Sequence, residues 1–215
     1  MATQSKFLSL ALMGIVAIAG VAGSALWRHR TPPVNLTTGT FITPSRVLPD
    51  FSLIDQQGRP FGSADLRGHW SMLFFGYTNC PDLCPTTLAT LAAMEKSLRA
   101  AKAPVRPQVV FVSVDAKRDT PAQMAKYVPY FDPEFIGLTA ADQPTIEAVA
   151  KKLGVSVLIE PAADGRYAVD HSGDIFVVDP DGRLAAILSG PFGVEALRGD
   201  FQRIVAARGP LGGRA

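Results

Sequence analysis

Apolar and polar positions along the chain fall into three regimes. Residues 7–27, FLSLALMGIVAIAGVAGSALW, are an apolar run without a single charge. At ~1.5 Å of rise per residue such a run can cross a ~30 Å hydrocarbon core, so it predicts a transmembrane helix behind a short tail at 1–6. Residues 28–47 show no sustained apolar period. Their TPPVNLTTGTFITPSR stretch, rich in Thr and Pro, reads as a linker. Regular patterning starts at Leu48 and runs to Ala207, and a Gly- and Arg-containing tail occupies 208–215.

Within 48–207 the periods change repeatedly. PDFSLIDQQGRPF alternates and turns at Gln57-Gly58, which predicts a β-hairpin. The mostly apolar run 70–77 predicts a buried central strand. Residues 86–101 place Leu88, Leu91, Ala92 and Leu98 at helical spacing, with Pro85 in the first turn. A second buried strand is expected at 109–114. A helix should open at Thr120-Pro121 and reach about residue 130. A short strand at 135–138 and a helix at 143–153, stopped by Gly154, follow. Strands are expected at 167–170, 175–178 and 184–188, the last two joined by the turn Asp179-Pro180-Asp181-Gly182. A final helix covers 194–207. Strands alternating with helices, closed by an antiparallel pair, predict an α/β domain: a mixed central sheet flanked by helices, thioredoxin-like. In such a sheet, chemistry gathers at the carboxyl ends of the central strands.

Charge and composition narrow the classes. A net charge of +2 spread over 215 residues, with no basic stripe interleaved with aromatics, argues against nucleic-acid binding. Lys6 lies on one side of the apolar run and Arg28, His29 and Arg30 on the other, so flanking charge does not orient it. The VAGSA stretch is also compatible with signal-peptide cleavage. The run is long for a signal peptide, has no cysteine at its end for a lipid, and starts too early for an Arg-rich mitochondrial presequence. The expectation is a single-pass anchor in a bacterial inner membrane, with the C-terminal domain in the periplasm.

The chain has two cysteines, Cys80 and Cys84, in FFGYTNCPDLCPTTL, where the first central strand meets a helix. Three chemistries compete for them. They could be structural thiols or a static disulfide of an exported domain. They could be a redox dithiol near a helix N-terminus. Against this, the spacing is three residues rather than the usual two, and the stretch before the DPDG strand, Asp170-His171-Ser172-Gly173-Asp174, lacks the proline of the thioredoxin pattern. Or they could bind a metal, because cysteines at i and i+4 share one helix face. Of the histidines, His29 adjoins the apolar run and His69 belongs at the far end of the cysteine strand, so His171 is the candidate third donor. Two thiolates and an imidazole favour copper, above all three-coordinate Cu(I). Zinc usually requires a fourth ligand and iron–sulfur clusters usually four cysteines. Asp82, Asp115, Asp119 and Asp170 lie nearby and read as caps or solvated loop charges.

With FFGYTNCPDLCPTTL, FVSVDAKRDTPAQMAKYV, FIGLTA and VDHSGDIFVVDPDGRL in this order, the chain resembles the Sco (SenC-like) copper proteins of cytochrome c oxidase assembly. The resemblance covers roughly 48–207. It implies that Cys80, Cys84 and His171 bind one copper ion, Cu(I) or Cu(II). It also implies a membrane-anchored copper chaperone that serves the dinuclear copper site of oxidase subunit II or another copper-receiving protein. Asp115 matches a family position near the site. Asp-His-Ser stands where the commoner form has Asp-His-Thr. The competing classes are a thiol–disulfide oxidoreductase acting on the partner's cysteines and a copper-dependent redox sensor.

Overall fold

Six consecutive residues, Ser71–Gly76, are all buried, as a strand covered on both faces requires. The computed structural model describes residues 34–161 and 167–211. In chain order the strands are β1 (Gly39–Val47), β2 (Ser52–Asp55), β3 (Pro60–Gly62), β4 (Ser71–Gly76), β5 (Gln108–Ser113), β6 (Ile136–Thr139), β7 (Val157–Pro161), β8 (Tyr167–His171), β9 (Ile175–Val178) and β10 (Arg183–Leu188). The helices are α1 (Leu83–Ala100), α2 (Pro121–Phe131), α3 (Gln143–Leu153) and α4 (Val194–Arg208).

Eight strands form one mixed sheet in the order β1-β10-β9-β4-β5-β6-β2-β3. β4, β5 and β6 run parallel, and the remaining pairs are antiparallel. Phe74, Phe75, Phe111, Leu88 and Leu91 are fully buried between this sheet and its helices. The expected mixed sheet flanked by helices is therefore the fold observed. The helix start at Thr120-Pro121 and the stop at Gly154 act as read: the Thr120 hydroxyl accepts from the Gln123 amide, and Gly154 ends α3 at φ 77°; Asp142 also caps α3 through the Thr145 amide.

Three expectations need revision. The linker expected over 28–47 is strand from Gly39 onward. β1 is an edge strand that bulges between Phe41 and Arg46 and buries only Ser45, so it carries no apolar alternation to read. Its anchor is Asp200 of α4, whose fully buried carboxylate accepts from the Thr37 and Thr38 amides at 2.7–2.9 Å. Helix α1 starts at Leu83 rather than 86, which puts Cys84 and Pro85 in its first turn. Among the described residues the strand expected at 167–170, β8, joins no strand of the main sheet. It pairs with β7, a strand not anticipated, as a separate two-stranded ribbon with His171 opposite Val157. The apolar run at 7–27 lies outside the described residues. Among the described residues no helix is long and apolar enough to cross a membrane.

Candidate metal centre

The parallel register aligns β4 with β5 from Ser71 opposite Gln108 to Gly76 opposite Ser113. The loop leaving β4 carries Cys80 and climbs into α1, which carries Cys84. Its first turn closes through the Cys80 amide on the Tyr77 carbonyl at 3.2 Å. Asp119 pins the loop's other side. Its carboxylate accepts from the Thr78 amide at 2.9 Å, the Thr78 hydroxyl at 2.6 Å and the Ser113 hydroxyl at 2.7 Å. Asp119 is fully buried, and burial raises its carboxyl above the usual range despite those donors.

The two thiols are free and unequal: Cys84 is buried, Cys80 half-buried. The Cys84 amide, in the first turn of α1, points at the Cys80 sulfur at 3.4 Å. Burial pushes the Cys84 thiol well above the ordinary cysteine range. Its pocket is tight, since a methyl group on Gly76 would stand 2.7 Å from Cys84 Sγ and 2.6 Å from the Phe111 ring.

His171 ends β8 beside that pocket, with Nε2 3.5 Å from Cys84 Sγ. Its Nδ1 lies 3.1 Å from the Ser172 carbonyl. A carbonyl only accepts, so Nδ1 carries the proton and Nε2 turns its lone pair toward the sulfur. Tyr77 and Phe74 meet the imidazole edge-on at 5.9 and 6.4 Å. Burial lowers the His171 pKa, against the opposing pull of the Ser172 carbonyl and Asp170, which favours the neutral ligand form. Leu83, 45% exposed, overhangs the turn after His171, 3.0 Å from where a side chain on Gly173 would begin.

Among the described residues no three His, Cys, Asp or Glu side chains are already closed around one point. The Cys84–His171 pair is formed, and the Cys80 sulfur lies beside it, against the Cys84 amide. The nearby carboxylates divide into two kinds. Asp82 and Asp170 are exposed; Asp82 precedes α1 but makes no side-chain cap to its amides. Asp115 and Asp119, read as caps or solvated charges, are instead buried. Asp115 is occupied by Arg118 and by the Tyr167 hydroxyl at 2.7 Å, so it faces the ribbon rather than serving as a free ligand. His69 is exposed at the amino end of β4, away from the cysteines. His29 is outside the described residues. Sequence reasoning does not single out Tyr77, Arg118 or Tyr167, although Tyr77 stands in FFGYTNCPDLCPTTL and Arg118 in FVSVDAKRDTPAQMAKYV.

A family model described as SCO1/SenC matches residues 40–206. A protein of Stutzerimonas stutzeri described as copper-binding is 37% identical over 153 residues, 71% of this chain and 74% of its own length. The mitochondrial SCO2 homolog of Bos taurus is 38% identical over 159 residues, 74% of this chain but only 59% of its own length. Arabidopsis thaliana ScoI with copper bound has a TM-score of 0.70 at 32% identity, covering 74% of this chain and 98% of that one. Yeast Sco1 with copper bound has a TM-score of 0.69 at 29% identity, covering 75% and 89%.

Proposed function

This chain belongs to the SCO1/SenC family, and on that premise we propose that it binds one copper ion through Cys80, Cys84 and His171 and passes it to a partner. The observation that carries this reading is the 3.5 Å approach of the His171 Nε2 lone pair to Cys84 Sγ. A soft sulfur and a neutral imidazole nitrogen face one another at the end of the sheet, and a second sulfur lies one helical turn away. Two thiolates suit Cu(I), and adding the imidazole lets the same set accept Cu(II). Copper is cargo here, released by ligand exchange rather than by turnover.

The receiver in this reading is the dinuclear copper site of cytochrome c oxidase subunit II. Residues 7–27 anchor the chain in a bacterial inner membrane and hold the domain in the periplasm. A reporter fused after residue 30 tests that orientation, and cytoplasmic reporter activity would contradict it.

A second reading is favoured by one observation: both thiols are free, and an α1 amide points at Cys80. A thiol–disulfide oxidoreductase that reduces the receiver's cysteines needs that dithiol and does not need His171. Paired variants separate the two. In the chaperone reading, His171→Ala takes up Cu(II) poorly and fails to support oxidase assembly, as does Cys84→Ser. Normal assembly with His171→Ala, together with loss in Cys84→Ser, sinks the chaperone and promotes the oxidoreductase.

A further inference from the structure

Among the described residues His171 sits on a ribbon that makes no ladder with the main sheet, because β8 pairs only with β7. The cysteines sit on a loop rooted in that sheet through β4. A three-donor set drawn from both therefore depends on what ties ribbon to loop. One end of β8 is tied by chain connection, through Ser172 and Gly173 into β9, which pairs with β4. The other end begins at Tyr167, where Arg118 joins it to the β5–α2 loop, while Tyr77 makes a second tie through the Val169 backbone.

Arg118 leaves the β5–α2 loop and forms an ion pair with Asp115, which is 1% exposed. Its Nη1 donates to the Tyr167 carbonyl at 3.3 Å. Its guanidinium stacks on the Tyr167 ring at 3.8 Å and lies 5.6 Å from the Tyr77 ring. The Tyr167 hydroxyl closes the circuit by donating to the other Asp115 oxygen at 2.7 Å. Tyr77 is the bridge to the centre: its carbonyl holds the Cys80 amide, and its ring meets the His171 imidazole at 5.9 Å. Asp115, Arg118, Tyr167 and Tyr77 thus connect the β5–α2 loop, the histidine ribbon and the cysteine loop.

We infer that Arg118 is a positioning residue for copper, clasping the His171 ribbon to the cysteine loop. The inference rests on the copper reading above and adds a residue that touches no ligand atom. The planar guanidinium is essential to this role, since one flat group stacks on an aromatic face while donating in its plane to a carboxylate and a carbonyl. A lysine keeps the charge and loses that geometry. The burden falls on Cu(II), which needs the imidazole, more than on Cu(I), which two thiolates can hold.

The test compares the full-length parent in detergent with Arg118→Met, Arg118→Lys and Tyr167→Phe. Tyr167→Phe removes only one hydroxyl and guards against a folding failure of the arginine variants. Three readouts are taken: Cu(II) affinity, the thiolate-to-Cu(II) absorption band, and hydrogen exchange of the β8 amides in the metal-free protein. Arg118→Met should lose about 10–100-fold in Cu(II) affinity, as is typical for groups that orient metal ligands. Its absorption band should shift, and β8 exchange should quicken while β4 and β5 stay protected. Arg118→Lys should fail to rescue the band, Tyr167→Phe should fall between, and Cu(I) affinity should change less. An unchanged band and affinity in Arg118→Met, even with a lowered melting temperature, overturns the inference, as does unchanged β8 exchange. Failure of the parent itself to take up copper would instead overturn the copper reading, and the exchange measurement would still decide whether Arg118 holds the ribbon.

Discussion

Cys84 Sγ and His171 Nε2 stand 3.5 Å apart across a sequence separation of 87 residues. Neither side chain could be held there by its own element alone. Cys84 is fixed because the first turn of α1 packs directly over Gly76 at the end of β4 and the Phe111 ring of neighbouring β5. His171 is fixed because its Nδ1 proton is tied to the next carbonyl and its ring is walled by Tyr77 and Phe74. The imidazole therefore reaches the sulfur with its free nitrogen foremost.

The absence of a side chain at Gly76 makes that approach possible, so Gly76→Ala tests it. A methyl there would meet Cys84 Sγ at 2.7 Å and the Phe111 ring at 2.6 Å, and both neighbours are fully buried. Overpacking of this kind typically costs about 1–3 kcal/mol. The variant should unfold at lower denaturant concentration and lose copper uptake more severely than stability. Parent-like copper uptake by a folded Gly76→Ala would show that Cys84 need not sit where it does.

Much of this site was legible in the sequence, and what was not has identifiable causes. Cys80 and Cys84 were readable because polar, Pro-punctuated residues interrupt an apolar strand. His171 was readable because it occupies the stretch before a strand bound to pair with β4. β1 was not readable, since an edge strand with a bulge has no face to alternate. β7 was missed because VLIEP forms half of a ribbon with Leu158 and Glu160 left exposed, so its burial pattern is too weak to stand out. The Asp115–Arg118–Tyr167 clasp was hidden for a different reason. It joins residues 49 apart in sequence, and no local spacing signals a contact of that kind.

The unequal burial of the thiols predicts unequal reactivity. Cys80 is half-buried, whereas Cys84 is buried and burial raises its thiol. Only thiolate attacks an alkylating reagent, and each unit of upward shift lowers its fraction about tenfold. In the native metal-free protein at neutral pH, iodoacetamide should label Cys80 first and Cys84 more slowly by about tenfold or more. Mass spectrometry of peptides carrying each cysteine checks this. Equal labelling rates would mean that the first turn of α1 opens readily, contrary to its packing.

Asp200 offers a stability test that touches none of the metal-centre residues. Its carboxylate is fully buried and accepts from the Thr37 amide, the Thr38 amide and hydroxyl, and Arg203 at 2.7–2.9 Å. Burial alone would raise its pKa, but those donors prevail and lower it. A carboxyl depressed in the folded state stabilises the fold above its unfolded pKa of ~3.9, and that contribution disappears as pH falls through the lower, folded value. Asp55 and Asp132 are depressed as well, so the parent should lose stability from several groups below about pH 4. Asp200→Asn removes one of them. At pH 7 it should be less stable by about 1–3 kcal/mol, the cost of leaving buried donors poorly satisfied. Because asparagine does not titrate, the gap between parent and variant should narrow as pH drops from 5 toward 2. Denaturant unfolding at successive pH values measures both effects. A gap that stays constant across that range would show that the Asp200 carboxylate contributes nothing through its charge and that β1 is held by packing alone.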